Sequence, residues 1–243
     1  MFVQLVTSII LFTPPAVTTE PTELLPGIYV SQGMVEFEAK VSIDCHHPES
    51  PDVYLEMFVT APDSREHEAL FVADIQPSSL HGALLAAGFN SGEPISWGTQ
   101  SNNHTTTNAT GDQLQVLYSL VVDKDAEPEY LPIESLVIDL HTRDTLLEDD
   151  HRPSLVFAGS SFINSRYAAD QSGTLISLTP FGDEVISPTW SLSPQADIDE
   201  PVWIANNELL PEIHTTIRIR IVKTRVEAEQ ESVDSVDTQE KPQ

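Results

Sequence analysis

Apolar residues fall at every second position in three separated stretches of the chain. In Met34 to Ile43, Val35, Phe37, Ala39, Val41 and Ile43 share one face and Glu36, Glu38, Lys40 and Ser42 the other, the period of a half-buried strand. Leu114, Val116, Tyr118, Leu120 and Val122 repeat the pattern, and Thr216 to Val222 sets Ile217, Ile219 and Ile221 against Arg218 and Arg220. Gly33, between Ile28-Tyr29-Val30 and the first of these stretches, predicts a short hairpin. Val53 to Val59 also alternates, whereas Glu68 to Ile75 is almost uniformly apolar. The turn residues Ala61-Pro62-Asp63-Ser64 between them predict an antiparallel hairpin in the middle of a sheet. Ser154 to Ala158 and Gly173 to Leu178 read as buried strands, and Ile133 to His141 fits either strand or helix.

One helix stands out. Pro77-Ser78-Ser79 offers a start, Leu80, Ala83, Leu84 and Ala87 repeat at helical spacing, and Gly88 offers a stop, so a helix is expected over about Ser79–Ala87. Prolines 48 and 51, Gly92-Glu93-Pro94, the polar run Gln100 to Asp112 and Asp144 to Asp150 read as loops. Strand patterns outnumber the helix, so the expected class is α+β, mainly β: a single domain with an antiparallel sheet. Its span is residues 28–222. Residues 1–17 form an apolar run of signal-peptide length without a basic n-region, 18–27 a Pro/Thr/Glu linker, and 223–243 an acidic tail expected to be disordered.

Charge narrows the partners. Thirty-eight acidic against eleven basic residues give a formal charge of −27, which repels nucleic acid and anionic membrane surfaces. The apolar run at the N-terminus falls short of the roughly 20 residues a membrane-spanning helix needs, so no transmembrane helix is expected. The export reading places the protein in the periplasm or outside the cell; without a signal it would be cytoplasmic. Cys45 is the one cysteine, which excludes an internal disulfide and a cysteine-held iron–sulfur cluster.

Three blocks resemble the YdjY-domain proteins, an uncharacterised bacterial family whose members often carry signal peptides. They are Leu55-Glu56-Met57-Phe58; Arg65-Glu66-His67-Glu68-Ala69-Leu70; and Gln76 to Gly88. Val156 to Ser160, then Tyr167 to Leu178, extend the resemblance, as do Asn206 to Pro211 and the final strand. The chain departs from the family pattern at Arg65, usually Lys there, and at Thr60, often Cys. The resemblance implies an architecture and no activity.

The densest ionisable cluster is Arg65-Glu66-His67-Glu68. On an extended strand Glu66 and Glu68 share one face and His67 points to the other, so the tripeptide alone cannot chelate an ion. His81 on the helix and Asp170 are its expected partners, as acid–base groups or as ligands of a divalent metal held by His67, His81 and Asp170. No other cofactor is expected. His-Glu-x-x-His is broken by Phe71, and neither a Gly-x-Ser-x-Gly elbow nor a Gly-rich phosphate loop is present. Asp44-Cys45-His46-His47 reads as a surface loop with a free thiol, and Arg218, Arg220, Lys223 and Arg225 as charge balance. Three functions follow: a non-enzymatic exported binding or scaffold module, a metal-assisted or acid–base enzyme built on Glu66-His67-Glu68, or a partner of a membrane redox system.

Overall fold

A strand that is apolar on one face has to bury that face and also hide its unpaired edges; a sheet closed on itself does both. The computed structural model, which describes residues 20–47, 49, 52–98, 105–120, 128–150 and 152–224, takes this solution. Eight strands close into a barrel: β1 (Met34–Val41), β2 (Met57–Thr60), β3 (Ala69–Val72), β4 (Gln113–Leu120), β5 (Leu155–Phe157), β6 (Thr174–Ser177), β7 (Ile186–Pro188) and β8 (Thr216–Lys223). The ring runs β1-β8-β4-β5-β7-β6-β2-β3, and β3 returns to β1 through Lys40↔Val72 and Val41↔Phe71.

Strands β1, β8 and β4 are the long ones, and their alternation is the one visible in the sequence. Phe37, Ile219 and Tyr118 lie in register across them and are buried, as are Val35, Ile221 and Val116. Their outer positions carry charge. Glu36 bonds Arg220 (2.8 Å to Nε), lies 3.4 Å from Arg218, and accepts the Tyr130 hydroxyl at 2.7 Å. The Arg220 guanidinium stacks over Tyr130, 3.7 Å from the ring centre. Lys223 reaches Asp112 at 2.6 Å. The basic stripe of β8 is thus charge balance within the described residues.

Elsewhere the barrel wall is buried on both faces, and the expected simple antiparallel sheet is corrected there. β2 and β3 run parallel, in register Met57↔Ala69 and Val59↔Phe71, and β6 and β7 are parallel too. Uniformly apolar runs carry no directional signal, which is why a hairpin was expected for β2 and β3. Helix α1 (Pro77–Ala86) packs on strand Ile28–Ser31, on β1 and β6, and on a short helix α2 (Ala168–Ser172).

The expected linker contains a strand, Thr22–Leu25, paired with Ile28–Ser31 around Gly27 at φ 74°. Lys223, assigned to the tail, ends β8, and its N–H donates to the Gly33 carbonyl. Ile133 to His141 resolves into a 3-10 turn, Ile133–Leu136, followed by a strand, Val137–Asp139, that pairs with Trp203–Ala205. The loop 100–112 is bridged at Thr107 to Ser96 and at Gly111 to Ser91. The signal segment 1–17 and the tail beyond Thr224 lie outside the described residues. Among the described residues no helix is long and apolar enough to cross a membrane.

Candidate functional site

A parallel neighbour forces the chain to travel back along the strand it has just made, about 13 Å for four residues. Residues 61–68 make that return after β2, and residues 178–185 after β6. The first crossover is a wound turn. Asp63 sits at φ 58°, Glu66 Oε1 accepts its N–H at 2.8 Å, and Ser64 Oγ bonds Thr60 Oγ1 at 2.6 Å. Glu66–Glu68 is a 3-10 turn closed by Glu68 N–H to Arg65 O at 3.1 Å. The extended reading of this tripeptide is thereby corrected: the return path has slack, and the Glu66 carboxylate winds it by holding a backbone amide.

The residues of that cluster go to different places. His67 points to solvent, its side chain 75% exposed and 3.5 Å from Glu68. Arg65 folds inward, its guanidinium 3.9 Å over the Phe181 ring of the second crossover and 3.9 Å from Glu56. Glu56 is where the two crossovers meet. Its N–H donates to Glu68 O, and its carbonyl accepts the N–H groups of Leu178 and Thr179, each at 2.9 Å. Burial first, then the hydrogen bond and repulsion from Glu68, push the Glu56 carboxyl up to about 7, with Arg65 opposing. Sequence reasoning passed over Glu56; the available signal was one acid inside the apolar run 53–59.

His81 and Asp170 belong to the seam between α1 and α2. The N-cap residue of α1, Gln76, makes no side-chain cap, and Asp170 Oδ1 accepts the Ser78 N–H at 2.8 Å instead. A carboxylate there also suits the helix dipole. His81 Nδ1 lies 3.0 Å from Gly159 O and 2.8 Å from the Tyr167 hydroxyl, which itself donates to Gly159 O at 2.9 Å. A carbonyl that close accepts only from a donor, which assigns the proton to Nδ1. Burial holds the imidazole below its usual pKa, and burial with nearby Asp170 pushes the Tyr167 phenol up.

The two sequence blocks do meet, along Gly173. Its carbonyl accepts Ala61 N–H at 2.8 Å and Thr60 Oγ1 at 3.1 Å, and at φ 79° it allows an approach in which a Cβ would lie 2.5 Å from Ser64. Beside this junction lies a groove of about 380 Å³ lined by Asp63, Ser64, Asp74, Gln76, Asp170 and Gln171. A second hollow of about 530 Å³ shares Pro62 and Asp74 with it and runs to Glu38, Lys40 and Glu66. Of the six residues singled out in sequence, Glu66 and Asp170 border these hollows, Arg65 and Glu68 surround Glu56, His81 is tied to Tyr167, and His67 stands apart.

Among the described residues no group of three or more His, Cys, Asp or Glu side chains is arranged to hold a metal ion. In the 44–47 loop, Asp44 Oδ1 accepts the His46 and His47 N–H groups, His46 Nε2 bonds Leu210 O at 2.7 Å, and Cys45 is a half-buried free thiol. The model of one protein family, the YdjY domain, matches residues 29–222. No curated protein and no solved structure matches the chain.

Proposed function

We propose that the chain, which belongs to the YdjY-domain family, is an exported, non-enzymatic binding module. Its ligand seats in the acidic groove where residues 61–64, 74–77 and 170–173 meet. The groove itself carries the reading: about 380 Å³ walled by Asp63, Asp74 and Asp170 with Gln76 and Gln171. That volume suits a small polar ligand, since ligand pockets start at about 300 Å³. The hollow beside Glu56 is only about 50 Å³, space for one or two waters and none for a substrate. Three carboxylates and no cation in the first hollow favour a positively charged ligand, and the charge of −27 speeds its arrival.

Calorimetric titration of the full chain with spermidine tests the proposal. Saturable binding is expected, weaker by about tenfold between low and physiological salt and lost in the Asp63→Asn/Asp74→Asn double variant. No saturable heat, or heat unchanged in the double variant, overturns it. The export part is tested by fractionating cells that express the chain with and without residues 1–17; equal distribution of the two overturns that part.

A further inference from the structure

From Ile75 to Gly92, and again from Ser154 to Ser165, the chain carries no Asp, Glu, Lys or Arg, although one residue in five is charged. The fold brings these two stretches together. The first contains α1, whose outward positions Gly82, Leu85 and Ala86 are exposed. A Cβ on Gly82 would meet nothing within 4 Å, so the surface is indented there. The second stretch runs into a small hairpin in which Phe162↔Tyr167 and Ile163↔Arg166 pair. Asn164 at φ 51° and Ser165 at φ 63° are the two left-handed positions of its tight turn. At its base, Ala168 N–H donates to Ser161 O at 2.8 Å. Phe162 meets Tyr167 edge-on with ring centres 5.5 Å apart, and Tyr167 meets His81 of α1 the same way at 5.6 Å. Leu85 follows His81 by about one helical turn. Phe162 is 74% exposed, Ile163 55% and Leu85 49%, so an apolar strip runs from the hairpin tip along α1. Arg166, beside it, is exposed, and its side chain makes no ion pair among the described residues.

We infer that this face is where two copies of the chain associate about a two-fold axis, the hairpin of each lying against α1 of the other. Contiguous exposed apolar surface marks an interaction site, and charge selects its occupant. A second copy carries the same −27, so two copies approach at the lowest electrostatic cost where neither brings a carboxylate to the contact. The acidic surroundings of that contact then supply each unpaired Arg166 with a partner. The projecting hairpin and the indentation at Gly82 occur together on one face, as a self-complementary two-fold contact requires. None of Phe162, Ile163, Gly82 and Leu85 lines the acidic groove, so the inference stands whether or not spermidine binds there.

Sedimentation velocity of the full chain tests it. A dimer is expected at concentrations of about 100 µM, tightening several-fold between about 50 mM and 500 mM sodium chloride as salt screens the repulsion between copies. Gly82→Glu puts a charge on the face while replacing glycine with a better helix former, so it keeps the fold; the dimer is expected to weaken at least about tenfold. Phe162→Ser is expected to weaken it comparably. Ile198, 64% exposed, lies on the loop that, with Thr179, lines the hollow at the other end of β6 from α2, and Ile198→Ser is expected to leave the dimer intact. A monomer at every concentration and salt, or a dimer unaffected by Gly82→Glu, overturns the inference. A monomer that floats with phosphatidylcholine vesicles, and stops doing so in Phe162→Ser, also overturns it by giving the face to a membrane.

Discussion

Two single residues hold the meeting point of the sequence blocks. Asp170 supplies the cap that α1 lacks in its own sequence, so Asp170→Ala is expected to lower stability by about 1 kcal/mol in urea unfolding. Gly173 combines φ 79° with a wall 2.5 Å from where a Cβ would sit. Gly173→Ala is therefore expected to cost about 3 kcal/mol, from left-handed strain and overpacking together, measured the same way. His81 shows how a residue prominent in the sequence is explained by its neighbours: its Nδ1–H, Gly159 O and the Tyr167 hydroxyl form a closed set. His67, inside the Arg65 to Leu70 block, faces solvent 3.5 Å from Glu68.

At the level of elements, Glu36 ties β1 to β8 on the outer face. It is 8% exposed and holds Arg220, Arg218 and Tyr130 together. Glu36→Ala strands two guanidinium groups on that face, with an expected loss of about 2–4 kcal/mol in chemical unfolding. Burial and the Glu36 carboxylate push the Tyr130 phenol up to about 12, so the same variant should show Tyr130 ionising earlier in a spectrophotometric titration. The elements legible in the sequence are those with one wet face. β1, β4 and β8 alternate because charge stands opposite the core, and α1 repeats Leu80, Ala83 and Leu84 for the same reason. Strands β2, β3, β5, β6 and β7 are buried on both faces, so their sequence records burial and leaves direction open. The parallel pairs, and with them the wound crossover that scatters Arg65 to Glu68, were out of reach for that reason. Helix α2 was missed because one turn between Tyr167 and Gly173 is too short to show a period.

For the whole molecule, electrostatics runs in two directions. A formal charge of −27 repels itself in the folded state, and salt screens it within about 8 Å at physiological strength. The melting temperature is expected to rise by several degrees between about 10 mM and 500 mM sodium chloride. Glu56 gives a separate pH dependence. Its carboxyl is at about 7 when folded against an ordinary 4.5, so the folded chain holds a proton that the unfolded chain has released. That contribution is full below pH 4.5 and is lost as pH rises to 7 and beyond. It amounts to about 1–2 kcal/mol once solvent screening of a half-exposed group is allowed for. Unfolding free energies from urea titrations at pH 5 and pH 7.5 should differ by that much more in the wild type than in Glu56→Gln.

Strand β8 also sets the order in which the molecule can be made. It stands between β1 and β4 and pairs with both along its length, from Thr216↔Lys40 to Val222↔Met34 on one side and from Ile217↔Leu120 to Lys223↔Leu114 on the other. Synthesis delivers it after every other wall of the barrel. Until Lys223 has left the ribosome, the two longest earlier strands each face an empty edge and the ring has no way to close. Pairings that span nearly the whole chain are slow to form, so the nascent polypeptide remains open and pliable until its last strand arrives. Under the export proposed above, a chain threaded through a translocation channel before it folds would be served by this strand order.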